Sequence, residues 1–240
     1  MKNSVLHKAT TRGLANHGWL NSRHTFSFAQ YYNHDRMNFG VLRVLNDDIV
    51  AAGMGFGSHP HNNMEIISIP LEGDLKHADS MGNQTIIKKG DVQILSAGTG
   101  IVHSEMNANN DREVKFLQIW VIPNKQNITP SYDQITIDQS AMINAFLLVV
   151  SPVGTGKGVG IHQDAWFHIG KLDAGTDITY NFKIPSNGLY VFVLKGNVEA
   201  DGQNLDERDG LGIWNTEKIS FKALEDSELL LMEIPMTINN

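Results

Sequence analysis

The sequence predicts an all-β chain of two similar sandwich or barrel halves with little helix, and three observations carry that reading. Short apolar stretches separated by Gly/Asn/Asp turns run along most of the 240 residues, the pattern of a β-sandwich or barrel. Helical periodicity is weak throughout, and Gln139–Ile143 offers a turn or two at most. The landmarks of the first half also recur in the second. Leu71-Glu-Gly73-Asp-Leu75 is echoed by Leu194-Lys-Gly196-Asn-Val198, and each half finishes on Ile-Pro, at Ile122-Pro123 and Ile234-Pro235. Gly82 precedes Gly90 by eight residues, as Gly202 precedes Gly210.

Thr25-Phe-Ser-Phe28 alternates, placing Phe26 and Phe28 on one face of an expected half-buried strand. Gly40–Leu45 predicts another, closed by the turn-prone run Asn46-Asp-Asp48. Further strands are expected at Ile66–Ile69, around Gly73, and at Thr85–Ile87, Val92–Leu95 and Lys115–Ile122. Pro123–Pro130 is polar and bounded by prolines, which marks it as the linker. The expected domains are therefore 1–130 and 131–240. The glycine-rich stretch Gly154–Gly160 reads as a loop, because no Ser or Thr follows Lys157 and no helix pattern begins there. Trp19, Trp120, Trp166 and Trp214 sit in strand-like surroundings and are expected to anchor the core.

A net charge of −7 without a basic stripe argues against a nucleic-acid surface. The absence of cysteine excludes disulfides, thiolate metal sites and thiol catalysis. Apolar runs such as Ala145–Val150 are too short to span a bilayer, and no signal-peptide pattern is read at Met1–Lys8. The expectation is a cytoplasmic protein with no membrane and no direct nucleic-acid partner.

The chemistry concentrates in two pairs. His59-Pro-His61 and His103-Ser-Glu105 both have i, i+2 spacing, so each pair projects from one face of a strand. Neighbouring strands lie about 4.8 Å apart, close enough for three imidazoles and a carboxylate to share one ion. Gly53, Gly55 and Gly57 precede the first pair and Gly98-Thr-Gly100 the second, and Pro60 suits a strand end or edge. His59, His61, His103 and Glu105 are the expected metal ligands. Glu65 would lie about 13 Å beyond His61 along an extended strand, so it is assigned to the pocket wall. His17, His24 and His77 are expected not to be ligands. Counting back from Gly196 as from Gly73 puts Phe182 and Ile184 where the histidine pair should be, so the second half is expected to be structural.

The run from His59-Pro-His61 through Gly90-Asp-Val-Gln to Ala97-Gly-Thr-Gly-Ile-Val-His103-Ser-Glu105-Met-Asn107 resembles the pirin family of bicupins. Asn16-His-Gly-Trp19 and His24–Ala29 resemble the opening of its shorter bacterial members. The resemblance implies two facing cupin barrels with metal only in the first, and a three-His, one-Glu ligand set at His59, His61, His103 and Glu105. It implies quercetin 2,3-dioxygenase activity, as associated with bacterial relatives. The alternative is a non-enzymatic, redox-sensing metal protein acting through a protein partner, as described for the animal member.

Three neutral imidazoles and one carboxylate around a divalent ion leave a formal charge of +1, which favours an anionic oxygen ligand such as a flavonol deprotonated at its 3-hydroxyl. The expected reaction joins this small aromatic substrate with O2 and opens the central ring with loss of CO. Glu105 is the expected proton shuttle. Phe26, Phe28, Phe56, Met64, Glu65 and Met106 are the expected pocket. The cofactor is one divalent transition metal, iron first, with Mn, Co, Ni, Cu and Zn open on ligand type alone.

Overall fold

The computed structural model describes residues 2–238. Helix among them is confined to two 3-10 turns, Ala9–Thr11 and Gln139–Met142. The remaining regular structure is four sheets, two of seven strands and two of four.

The first large sheet runs, in spatial order, Ser131–Thr136, Asp91–Ser96, Glu65–Glu72, Val114–Val121, Leu42–Val50, Leu20–His24 and Gly13–Asn16. Its small sheet runs Gly55–His61, Ile101–Asn107, Asp74–Asp79 and Gln84–Lys88. The second large sheet runs Asn3–His7, Gly210–Trp214, Asn187–Lys195, Ser227–Pro235, Trp166–Leu172, Leu147–Pro152 and Val159–Ile161. Its small sheet runs Asp177–Asn181, Lys218–Ala223, Val198–Ala200 and Gln203–Leu205. The strands correspond position by position, so the duplication is present in the topology. One departure is that Val159–Ile161 runs parallel to its neighbour, whereas Gly13–Asn16 runs antiparallel to Leu20–His24. Gly73 and Gly196, the shared landmark, both turn the chain from a large sheet to a small one with φ of +74° and +86°. A Cβ there would press on backbone or side-chain atoms of Glu113 and Ser227, so glycine is required in both halves.

The halves exchange strands. Asn3–His7 completes the second large sheet beside Gly210–Trp214, and Ser131–Thr136 completes the first beside Asp91–Ser96. A division at residue 130 is thus crossed in both directions. The crossing at the N-terminus is held by a hydrogen bond between His7 Nδ1 and the Tyr190 hydroxyl (2.8 Å) and by Lys8 paired with Asp206 and Asp209. Side chains alternate across each large sheet. One face contributes Leu45, Ile67 and Ile119 from the first half and Phe167, Tyr190, Phe192 and Met232 from the second to a single shared core. The other face lines the interior of its own half.

Those interiors differ. Across the first large sheet the register places Gln93, Ser68, Gln118, Asn46 and His24 side by side, all buried. The corresponding row of the second sheet is Leu211, Val191, Leu231, His168 and Leu148. One half fills this level with hydrocarbon, apart from His168, and the other with hydrogen-bonding groups.

Two sequence expectations change. Thr25–Phe28 is not a strand; it follows the strand Leu20–His24 as irregular chain, because Phe26 turns into the seam between the halves. Asn46-Asp-Asp48 is not a turn but lies inside the nine-residue strand Leu42–Val50. Its two ladders, to Leu20–His24 and to Val114–Val121, override the turn preference of Asn and Asp.

The pairing register also moves the second-half counterparts of the histidines. Tyr180 stands opposite Ile219 as His59 stands opposite His103, and Phe182 bonds back to Glu217 at the place of His61. Counting from glycine gave Phe182 and Ile184 because the connection onward to Gly196 is two residues longer than that from His61 to Gly73. This segment is pinned by the buried Glu233, whose carboxylate accepts from the backbone N–H of Lys183 (2.9 Å) and Ile184 (2.9 Å), the Tyr180 hydroxyl (2.7 Å) and Asn187 Nδ2 (3.1 Å). Glu233→Gln puts an N–H2 against these donors. It is expected to lower unfolding stability by about 2–3 kcal/mol in urea melts, with metal content unchanged.

Candidate metal centre

Gly55–His61 and Ile101–Asn107 are antiparallel neighbours, with His59 directly opposite His103 and His61 opposite Ile101. The ring centroids are 4.5 Å apart for His59 and His103, 4.8 Å for His59 and His61, and 4.9 Å for His61 and His103. One ring nitrogen from each lies within 4.8 Å of the other two. His59 Nδ1–H donates to the Gly57 carbonyl at 2.7 Å, which leaves Nε2 as the free donor atom. His103 is buried and neither of its ring nitrogens has a hydrogen-bond partner. Burial, reinforced by the neighbouring imidazoles, lowers the pKa of His103 to about 3 and that of His61 to about 4. The rings of His103 and His61 are therefore neutral at physiological pH, as metal ligation requires. A divalent transition ion fits this donor set and would satisfy the buried nitrogen that the protein leaves unpaired.

Glu105 is placed differently. A bulge between His103 and Glu105 pairs Glu105 with Phe56 and turns its carboxylate toward the large sheet. There Oε1 accepts from Ser68 Oγ and Oε2 from Gln118 Nε2, both at 2.7 Å. Gln118 Oε1 in turn accepts from Trp120 Nε1 at 3.2 Å. Burial raises the Glu105 pKa, and the bonds from Ser68 and Gln118 oppose that rise. Among the described residues the close donor set is the three imidazoles, and Glu105 stands beside it. His17, His24 and His77 are outside the set as well. His77 Nε2 is 3.0 Å from the Asp79 carboxylate, and its ring stacks on Tyr132.

Two cavities meet at the triad. A half-open one of about 350 Å³ is bordered by His59 and Glu105 and has aromatic walls from Trp19, Phe28, Phe56 and Trp120. A larger, more open one of about 530 Å³ is lined by His61, Met64 and Trp120. The expected pocket residues thus divide. Phe28 and Phe56 line the smaller cavity, and Met64 lines the larger one.

Three others lie elsewhere. Phe26 is packed against His7 and Tyr190 in the seam. Met106 points away from the interior, because the buried residues of its strand are His103, Glu105 and Asn107. Glu65 shares the face of Ile67, toward the second half, where it accepts from Ser96 Oγ (2.8 Å) and His162 N–H (3.2 Å). Pleat parity accounts for the last two.

Sequence reasoning missed Trp120, Gln118, Ser22, His24, Asn46 and Asp48 as cavity residues. The only available signal was a run of polar residues at alternate positions within an otherwise apolar strand. Asp48 is buried, and desolvation pushes its pKa up to about 7 against a smaller opposing pull from Ser22 on the adjacent strand. Its raised pKa means that its contribution to stability is full below pH 3.8 and is lost as pH rises through 7. Asp48→Asn cannot titrate. Its stability relative to the parent is expected to rise between pH 4 and 8 by on the order of 3 kcal/mol, measured by urea unfolding across that range.

Residues 7–121 match the family model described as Pirin, and residues 148–234 match the one described as Quercetinase C-terminal cupin domain. The protein named quercetin 2,3-dioxygenase in Escherichia coli (strain K12) is 43% identical over 96% of this chain and 98% of its own. The crystal structure of YhhW from Escherichia coli superposes with a TM-score of 0.93 at 42% identity, covering 99% of this chain and 100% of that one. The structure of bacterial pirin YhhW in complex with nickel(II) gives 0.92 at 41% identity, over 98% and 100%. With matching models over both halves, and relatives this similar along nearly the full length, the chain belongs to the pirin family, as a two-barrel cupin protein.

Proposed function

We propose that this chain is a metal-dependent dioxygenase that opens the central ring of flavonols such as quercetin with O2. The observation that carries the reading is His103, buried with both ring nitrogens unpaired, in a cluster of three imidazoles of which His59 borders an aromatic-walled cavity. The names of the relatives, quercetin 2,3-dioxygenase among them, support the same substrate class. In this reading His59, His61, His103 and Glu105 hold one divalent ion, with iron as the expected metal. Nickel is what the related YhhW structure contains. When bound, the ion supplies Lewis acidity toward substrate oxygen.

The chain's own residues do the rest. Trp19, Phe28, Phe56 and Trp120 hold flat rings and keep water away from them. Glu105 takes the proton of the 3-hydroxyl. Its raised pKa suits it to that task, and Ser68 and Gln118 fix its direction. Gln118 also ties Glu105 to Trp120, whose ring meets that of His61 edge-on at 4.8 Å. The balance is one flavonol and one O2 to one ring-opened ester and one CO. No described helix is long and apolar enough to cross a membrane, and the expected site of action is the cytoplasm.

The test is to mix metal-loaded protein with quercetin in air and under nitrogen. Loss of the near-ultraviolet band is expected in air alone, abolished by His61→Ala and slowed about 10–100-fold by Gln118→Ala. No consumption with any first-row divalent metal would sink the proposal.

A further inference from the structure

The smaller cavity has a polar wall that the metal centre does not use. Ser22 and His24 lie on one strand, and Asp48 and Asn46 face them directly on the next. The four form a two-by-two patch on the inner face, and all four border the cavity. They are buried, between 2% and 3% exposed. His24 Nδ1 and Asn46 Oδ1 have no hydrogen-bond partner, and Ser22 Oγ and Asp48 Oδ1 have only the pull of one on the other, short of hydrogen-bond geometry. Glu105 is satisfied by the neighbouring part of the same polar row, so this patch is not engaged in holding it. The fold does not demand a polar group at the place of His24, where the second half has Leu148. Unpaired buried polar groups are costly, and a patch of them along one cavity wall has the make-up of a recognition surface.

We infer that this patch is a hydroxyl-recognition subsite, which selects flavonols carrying free phenolic hydroxyls besides the 3-hydroxyl. The inference rests on the proposed flavonol reading. Its chemistry follows from the atoms. Asn46 Oδ1 is an acceptor, Ser22 Oγ accepts or donates, His24 Nδ1 does either according to tautomer, and Asp48 does either according to protonation. A wall of groups that accept or donate calls for hydroxyls on the ligand, which do both. It disfavours the same ring without hydroxyls, because the wall's groups then stay unpaired. The aromatic side chains around it take the ring faces, and His59 and Glu105, which border the same cavity, face the reacting edge.

The experiment is equilibrium binding under nitrogen, followed by quenching of tryptophan fluorescence, since Trp19 and Trp120 border the cavity. Quercetin and 3-hydroxyflavone, which lacks every ring hydroxyl except the 3-hydroxyl, are the two probes. Quercetin is expected to bind at least about tenfold tighter to the parent. Asn46→Leu and Ser22→Ala are expected to weaken quercetin by about tenfold while moving 3-hydroxyflavone less than about twofold.

Equal binding of the two flavonols by the parent would overturn the inference. So would variants that weaken both alike, which would mark the patch as structural. If Asn46→Leu does not fold, Ser22→Ala and the two-probe comparison on the parent still decide. Discrimination without oxygen-dependent turnover would sink the dioxygenase proposal and keep the subsite, and turnover without discrimination would do the reverse.

Discussion

Polar side chains shut inside a β-barrel are destabilising unless something pairs with them, and this constraint orders the whole molecule. The two halves share a strand order and a turning glycine, yet they meet the constraint in opposite ways. The second half fills its interior with Leu189, Val191, Leu211, Phe221 and their neighbours. The carboxylate of Glu233 there is surrounded by donors from its own chain. The first half buries His103, Glu105, Asp48 and Asn46 in the equivalent space and pairs only Glu105 fully. The second half thus serves as an internal control for what the fold itself requires.

The exchange of terminal strands bears on this contrast. Asn3–His7 lies in the second half's sheet, and Ser131–Thr136 borders the first. The large sheets press their apolar faces together in one core. Burial of that core, on the opposite face of the first large sheet from its polar row, supplies the rigidity against which unpaired groups in the first half can be held. Trp120 and Glu233 occupy matching places in the two halves. One presents an aromatic edge to a histidine, and the other presents oxygens to backbone N–H groups.

Much of this was legible in the sequence. The all-β class, the repeat and the scarcity of helix followed from turn spacing and echoed glycines. The i, i+2 histidine pair and His103 behind its own glycines pointed to one place, because strand pleating fixes which side chains share a face. What escaped were features set by pairing between distant strands. Asn46-Asp-Asp48 carries every local mark of a turn, and only its ladders on both sides make it strand. The bulge that redirects Glu105 leaves no trace in the residue pattern. Phe26, Glu65 and Met106 were placed in the pocket by proximity in sequence, and pleat parity or a chain turn sends each elsewhere. The polar row became visible only once five strands were in register.

The central claim is that the unpaired imidazoles exist to hold an ion. Metal analysis of protein purified without chelator tests it most directly, run beside His103→Ala. The account predicts about one equivalent of divalent transition metal per chain in the parent, as expected for a single site with three nitrogen ligands, and none in the variant. A metal-free parent, or a variant that keeps its ion, would contradict it.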